Sequence, residues 1–525
     1  MNMIRKKLPI GLQTFREIRE DRYYYVDKSG YAVDMADQGK YYFLSRPRRF
    51  GKNLLVDTIK ELFEGNRDLF VGLAAENRWD WSISHPVLKF SFGGGGVGTL
   101  EGLRISLDRQ LRNHEVRLGY QPGYQQAGAR LADLIQHARE RTGQNVVILV
   151  DEYDKPILDA LADRQAARIN RNELRDFYSV IKDNDAFVRF AFLTGVSKFS
   201  KASIFSGLNN LLDITVDARW SALCGYTEAD LEAVFSPELE GLDREEVRRW
   251  YNGYNWLGEK VYNPFDILVF FAKRTFAPYW FETGTPTFLV DLLMERGIFT
   301  PDLNRTMATE MLLSTFDVDT MPTEALLFQT GYLTIAASRI MAGRTEYRLG
   351  YPNLEVQTAL NDVLLKSLMA DHSRAEAGIS RLYDTLAGGD FNALEAHFKA
   401  LFASIPFDWH RKNDIARYEG YYASVFYSHF AAPGLDIRVE DAASRGRVDM
   451  TVFFQSRVFV FEFKVVKLEL EGRAMDQLLA RDYVEKYRNR NEPVFLIGVA
   501  FSRETRTVDG FEARAVENIR SEIIP

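Results

Sequence analysis

One cysteine in 525 residues, Cys224, leaves no partner for an internal disulfide and no thiolate set for a structural zinc, and it suits a reducing compartment. Long apolar runs are missing too. No stretch approaches the roughly 18 apolar residues of a membrane span, and Met1-Asn2-Met3-Ile4-Arg5-Lys6-Lys7 leads into Leu8-Pro9 rather than into the apolar core of a secretory leader. The expectation is a cytoplasmic protein with no membrane partner. A basic excess is also absent: the net charge is −7 and the pI about 5.7, so any nucleic-acid surface has to be a local basic patch on an acidic protein. No fixed-period repeat or low-complexity tract is present. Core material is abundant, with 46% hydrophobic and 13% aromatic residues, enough at this length for roughly two to four domains.

The most informative stretch is Val146-Val147-Ile148-Leu149-Val150, which runs into Asp151-Glu152-Tyr153-Asp154. A short β-branched run of this kind reads as a strand buried on both faces, the habit of a parallel sheet covered by helices. Ligands in such sheets lie beyond the carboxyl ends of the strands. Upstream, Phe43-Leu44-Ser45 leads into the basic loop Arg46-Pro47-Arg48-Arg49-Phe50-Gly51-Lys52-Asn53, after which apolar residues at 54, 55, 59, 62 and 63 take helical spacing. Gly51 to Asn53 then lie at a helix N-terminus, where free amides and the dipole favour a phosphate.

Against the pattern G-x-x-x-x-G-K-[ST], Gly51 and Lys52 match, Arg46 stands for the first Gly, and Asn53 stands for Ser or Thr. A basic surface loop is the alternative for this stretch alone; the acidic strand is what favours ATP. Lys52 is expected to neutralise the β- and γ-phosphates, with Arg48 or Arg49 adding charge. Asp151 is expected to hold Mg²⁺ and Glu152 to polarise the attacking water. Asn53 offers an amide oxygen, a weaker Mg²⁺ ligand than an alcohol, so binding is better founded than hydrolysis. Asp154, just ahead of Pro156, is the expected helix cap. Thr194, at the end of the apolar run from Val188 to Leu193, is placed to sense the γ-phosphate or to form a plain strand-end turn.

Around these landmarks, Tyr23 to Val26 is expected to be a strand and Asp27-Lys28 to cap the following helix or, as the alternative, to approach a nucleotide base. Pro86 to Phe92 is expected to be a core strand ending in Gly93 to Gly98, a flexible loop more readily than a phosphate cradle because no Lys or Ser/Thr follows in register, and residues 100 to 140 are expected to be helical. The alternation is β-α-β-α-β, the mark of a doubly wound sheet. Aromatic clusters between residues 250 and 281 read as core anchors more readily than as base-stacking platforms. Helical patterns follow from Glu355 to Phe402.

From residue 414 onward the pattern becomes α-β-β-β-α. A helix from Ile415 to Phe430 holds Glu419, and strands are expected at Leu435 to Glu440, Arg447 to Phe454 and Val458 to Val466. Residues two apart in a strand share a face, so Glu462 and Lys464 point one way while Phe461, Phe463 and Val465 point the other. A charged pair inside so apolar a strand is costly unless it does chemistry; a buried salt bridge is the alternative. With Asp449 on the neighbouring strand the set matches a PD-(D/E)xK site. Asp449 and Glu462 would bind Mg²⁺ or Mn²⁺, and Lys464 would orient or deprotonate a water and offset the phosphorane charge. Basic residues such as Arg438 and Lys486 are candidates for phosphate contacts.

Leu8-Pro9-Ile10-Gly11, Tyr25-Val26-Asp27-Lys28, Ser45 to Lys52, Val150 to Asp154 and Leu193 to Phe199 resemble the bacterial AAA-ATPase-like proteins that carry a C-terminal PD-(D/E)xK nuclease domain. The resemblance covers nearly the whole chain. It implies an α/β fold: a P-loop NTPase (AAA-like) doubly wound parallel sheet in residues 1–220, a helical lid, with a winged helix as one form of it, in 221–350, a helical linker in 351–402, and a restriction-endonuclease-like α/β domain in 403–525. It also implies that Arg46 is ordinary for the family and part of the cofactor site, that Asn53 departs from its usual Ser, and that Glu419 and Gln477 join Asp449, Glu462 and Lys464. The implied activity is hydrolysis of nucleic-acid phosphodiesters, DNA ahead of RNA, under control of ATP, with a homo-oligomer left open. The alternative is a nucleotide-dependent nucleic-acid-binding or assembly module in which neither site turns over.

Overall fold

The computed structural model describes residues 5–198, 204–205, 208, 210–280, 293, 296, 300–314, 322–368, 372–403, 416–443, 446–466, 474–480, 483–490, 492–502 and 507–516. Two compact units divide the chain: Met1–Gly284 with Asn304–Glu355, and Thr285–Leu303 with Val356–Pro525.

The first unit is built on a five-stranded parallel sheet. Its strands are β1 (Tyr41–Ser45), β2 (Val87–Ser91), β3 (Val146–Asp151), β4 (Val188–Gly195) and β5 (Leu212–Asp213), in the order β2-β3-β4-β1-β5. Every residue of β1 and β3 is buried, as a sheet covered on both faces requires. Because the strands are parallel, the basic loop after β1 and the acids after β3 emerge at the same edge, one strand apart. Helices α1 (Phe15–Glu20), α2 (Ser29–Gln38), α3 (Lys52–Phe63), α4 (Leu100–Leu118), α5 (Ala127–Thr142), α6 (Lys155–Leu158) and α7 (Arg164–Asp183) complete the layers. The helical pattern expected over 100 to 140 is broken in two at Gly119, whose left-handed backbone (φ +64°) ends α4.

Two local expectations are corrected. Tyr23 to Val26 joins no ladder among the described residues; Tyr24 and Val26 are buried, and Tyr24 N–H donates to Lys7 O at 3.0 Å. Asp154 stands at the cap position of α6 but makes no capping bond there. Its carboxylate accepts instead from the backbone N–H of Val196 (3.1 Å) and of Ser197 (2.6 Å), tying the end of β3 to the end of β4.

The chain continues through short helices α8 (Glu228–Val234), α9 (Ser236–Leu239), α10 (Arg244–Tyr251) and α11 (Pro264–Lys273), the hairpin β6 (Asn252–Tyr254) with β7 (Val261–Tyr262), and a three-stranded antiparallel sheet of β8 (Met307–Thr309), β9 (Thr334–Met341) and β10 (Arg344–Gly350). The aromatic clusters here are core. Tyr251, Tyr254, Trp256, Tyr262, Tyr279 and Trp280 are all buried, many in ring-to-ring contact.

The second unit has helices Leu354–Leu368 (mostly in this unit), His372–Gly388, Phe391–Ala403 and Ala416–Ala431, then a mixed sheet in chain order: β11 (Asp436–Ala443), β12 (Gly446–Phe454), β13 (Arg457–Val466), β14 (Val494–Ser502) and β15 (Val508–Val516). Only the β13–β14 pair of this sheet is parallel. A parallel neighbour needs a crossover, and the chain supplies it with the helix Ala474–Ala480 and the turn of 3₁₀ helix Tyr483–Arg490. Phe461 and Phe463 face one apolar core and Val458 and Val460 another, so both faces of β13 are covered. No helix among the described residues is long and apolar enough to cross a membrane.

Candidate functional site

The loop after β1 closes over the first turn of α3. Gly51 stands at its cap with φ +83°, a conformation that favours glycine, and no side chain occupies the cap. Arg49 (φ +68°) and Glu152 (φ +53°) also adopt left-handed backbone, which is uncommon for such residues. Strained residues cluster at binding sites, and these two flank one cavity of about 410 Å³. Its lining includes the polar residues Arg48, Arg49, Lys52, Asn53, Glu152 and Asp154 with Gly51, and the apolar or aromatic residues Leu12, Tyr25, Tyr226, Phe265 and Leu268.

Lys52 is buried, and its ammonium donates to the carbonyls of Arg46 (3.0 Å) and Pro47 (2.8 Å). Burial pushes its pKa down, against the pull of Asp151. Asp151 is 2% exposed and its Oδ1 has no hydrogen-bond partner among the described residues. Burial raises its pKa to about 6 although Lys52 opposes the shift. An unpartnered carboxylate oxygen at a strand end is the donor chemistry a hard divalent cation uses, so the residues present fit Mg²⁺. Gly93 lies close to Glu152: a Cβ there would stand 3.2 Å from Oε2.

Two expected cofactor residues, Arg46 and Thr194, are placed differently. Arg46 is fully buried and faces away from the cavity. Its guanidinium donates to the carbonyls of Ser45 (2.9 Å), Thr215 (2.8 Å) and Trp220 (3.1 Å) and lies over Trp256 at 4.0 Å, so it braces the loop from behind. Thr194 Oγ1 donates to Leu44 O (2.8 Å), joining β4 to β1. The Asn53 amide donates to Gln13 Oε1 (3.1 Å). Lys28 lines the cavity while paired with Asp230 (2.8 Å); Asp27 accepts from Ser29 N–H (2.8 Å), but Lys28, the residue at the cap position of α2, makes no side-chain capping bond.

In the second unit, β12 and β13 pair through Met450 with Phe461. One step further along that antiparallel register Asp449 stands opposite Glu462, on the same face. Asp449 Oδ2 accepts from Phe463 N–H at 2.7 Å, and Gln477 donates to Glu462 Oε1. Glu462 is buried, 2% exposed, and Lys464 lies half-buried two residues on. Thus Asp449, Glu462, Lys464 and Gln477 are gathered on one face. Glu419 falls within the helix Ala416–Ala431, but its side chain lies outside the described residues, as do those of Arg445 and Arg447. Two adjacent carboxylates fit a hard cation, although among the described residues no three acids, histidines or cysteines form a set that holds a metal.

Residues with no place in the motif reading also shape these sites. Gly498 pairs with Glu462 on β14, and a Cβ on it would lie 2.7 Å from Met475 N. The missing side chain lets the Gln477 helix approach Glu462. A glycine inside an apolar strand was the available signal. Tyr226 and Phe265 reach the cavity only through tertiary folding, and no local pattern points to them.

A family model described as Predicted AAA-ATPase matches residues 9–205, and one described as PD-(D/E)XK nuclease superfamily matches residues 417–511. A protein of Azotobacter chroococcum mcd 1, described as an uncharacterized protein in the vnfD 5′ region, is 59% identical over 510 residues, covering 97% of this chain and 99% of its own length. The chain belongs to the AAA-ATPase-like proteins with a C-terminal PD-(D/E)xK nuclease domain. No solved structure matches it.

Proposed function

We propose that this AAA-ATPase-like nuclease protein binds ATP at the loop after β1 and hydrolyses nucleic-acid phosphodiesters at Asp449, Glu462 and Lys464, with nucleotide controlling cleavage. The observation that carries the nuclease reading is the shared face of Asp449, Glu462, Lys464 and Gln477. There Asp449 and Glu462 would hold a divalent cation, Mg²⁺ or Mn²⁺, which when bound would supply Lewis-acid polarisation of the phosphate and a more acidic water. The chain's own part is to fix that geometry. Phe463 N–H orients Asp449, Gln477 orients Glu462, and Lys464 offers a positive charge to the phosphorane. Glu419 is the proposed further member of the set.

At the first site, Lys52 and the first-turn amides of α3 take the phosphates, Arg48 and Arg49 add charge from the exposed loop, Asp151 holds Mg²⁺ and Glu152 orients water. Arg46 and Thr194 act on the loop and the sheet rather than on the nucleotide. The proposed division assigns residues 1–220 to nucleotide, 221–350 to a lid and 403–525 to cleavage, while the helices expected as a linker over 351–402 pack into the core of the second unit. DNA is the proposed substrate ahead of RNA, in the cytoplasm, with a homo-oligomer compatible. Asp449→Ala and Glu462→Ala are expected to abolish cleavage and to leave ATP binding intact; cleavage persisting in both, with metal present, overturns the reading. A second reading, a nucleotide-dependent binding or assembly module without turnover, is favoured by Asn53 in place of an alcohol. Steady-state phosphate release, with Lys52→Ala as control, separates the two.

A further inference from the structure

The loop that carries Lys52 is held from its far side by residues outside any motif. The Trp280 indole N–H donates to Arg48 O at 3.2 Å, and the Trp280 backbone N–H donates to Glu355 Oε1 at 2.8 Å. Gly331 presses on the same loop: a Cβ there would stand 2.7 Å from the Pro47 Cβ. Arg49, in left-handed backbone at the cavity, holds its guanidinium 4.8 Å above the ring of Phe265. The next residue, Asp266, is fully buried, as is Glu355, and the two carboxyls interact directly. Among the described residues neither Asp266 oxygen meets an N–H or O–H donor, so a proton shared with Glu355 is the bond open to it. Among the described residues, Arg49, Tyr251 and Tyr254 are titratable groups that face this pair.

We infer that Trp280 and Glu355 are positioning residues for the phosphate loop: the indole fixes the Arg48 carbonyl, and the charge of the Asp266–Glu355 pair sets how far Arg49 is available to a nucleotide. This rests on the reading of the cavity as a nucleoside triphosphate site. Burial raises Glu355 to about 7 and Asp266 well above the usual carboxylate range. Below pH 7 the pair is neutral and Arg49 answers to the phosphates alone. Above it one anion, within electrostatic reach of Arg49, draws the guanidinium away from the cavity. Affinity therefore falls as pH rises through about 7. A glutamine at position 355 keeps the acceptor for Trp280 N–H and removes the ionisation.

The test is the dissociation constant of the full chain for a fluorescent ATP analogue with Mg²⁺ from pH 6 to 8.5, in wild type, Glu355→Gln, Trp280→Phe and Lys52→Ala. Taken as a ratio to Glu355→Gln, which cancels the titration of ATP itself, wild-type affinity is expected to fall severalfold across the range. Trp280→Phe is expected to weaken binding roughly tenfold at every pH, the worth of one hydrogen bond to the loop. Parallel pH profiles in wild type and Glu355→Gln overturn the inference, and this comparison decides alone if Trp280→Phe does not fold. Binding that is lost in Lys52→Ala but untouched by the other two substitutions overturns the inference and leaves the nucleotide reading standing. No binding by the wild type overturns both.

Discussion

Asp151 gives the sharpest stability prediction, because its burial has a sign that can be checked without any activity. The carboxyl is 2% exposed, one oxygen has no partner among the described residues, and its pKa stands at about 6 against the usual 3.8. Burial is the largest cause and Lys52 the main opposing one. A folded-state pKa above the unfolded value means that the folded chain binds the proton more tightly, so stability is lost as pH rises from about 4 to about 6 and then stays level. The gap corresponds to about 3 kcal/mol once both states are ionised, and to only about 0.5 kcal/mol at pH 4. Asp151→Asn keeps the shape and removes the charge. Urea unfolding of both proteins from pH 4 to 8 is expected to show the variant gaining on the wild type by about 2–3 kcal/mol over that range. Mg²⁺ with ATP is expected to stabilise the wild type and to do little for the variant. A variant less stable than wild type at pH 8, or a difference that does not change with pH, refutes the account of Asp151 as a carboxylate held unpaired for a cation.

The other site permits independent checks. Gly498→Ala places a methyl group 2.7 Å from Met475 N; it is expected to displace the Gln477 helix, cost roughly 1–3 kcal/mol and reduce cleavage while ATP affinity is unchanged, and unchanged cleavage contradicts the role given to that glycine. His397 and His429, whose Nε2 atoms meet at 2.7 Å in the second core, are both pushed down by burial, His397 to about 4. Depressed histidines contribute stability that is complete above about 6.5 and lost as pH falls toward 4. The unfolding midpoint of the second unit is thus expected to drop across that window, and a flat midpoint refutes neutral burial of the pair.

Elements with a strong local period were the legible ones. The run into Asp151, the helix opening at Lys52 and the Glu-x-Lys strand each declare themselves within about ten residues, because burial on two faces or on one stripe leaves its mark in sequence. The same holds for the gathering of Arg48, Arg49, Gly51, Lys52 and Asn53 at one cavity, since they are neighbours in the chain. Arg46 was illegible for the opposite reason. Its partners Thr215, Trp220 and Trp256 come from distant stretches, so a basic loop residue that reads as a phosphate contact is in fact a buried brace. The Tyr-rich segment had β-branched and aromatic character but no partner edge among the described residues, and strand formation depends on a partner more than on propensity. Asp154 had the sequence of a cap, yet the Val196 and Ser197 amides compete for its carboxylate and win.

The central claim is that Asp449 and Glu462 share a cation that cuts a nucleic-acid backbone under control of a nucleotide at Lys52. The most direct measurement is incubation of the wild-type chain with double- and single-stranded DNA and with RNA, in Mg²⁺ or Mn²⁺, with and without ATP, beside Asp449→Ala and Lys52→Ala. The account predicts metal-dependent cleavage by wild type, none by Asp449→Ala, and a response to ATP that Lys52→Ala lacks. Equal cleavage by wild type and Asp449→Ala, or cleavage indifferent to chelation of the metal, contradicts it.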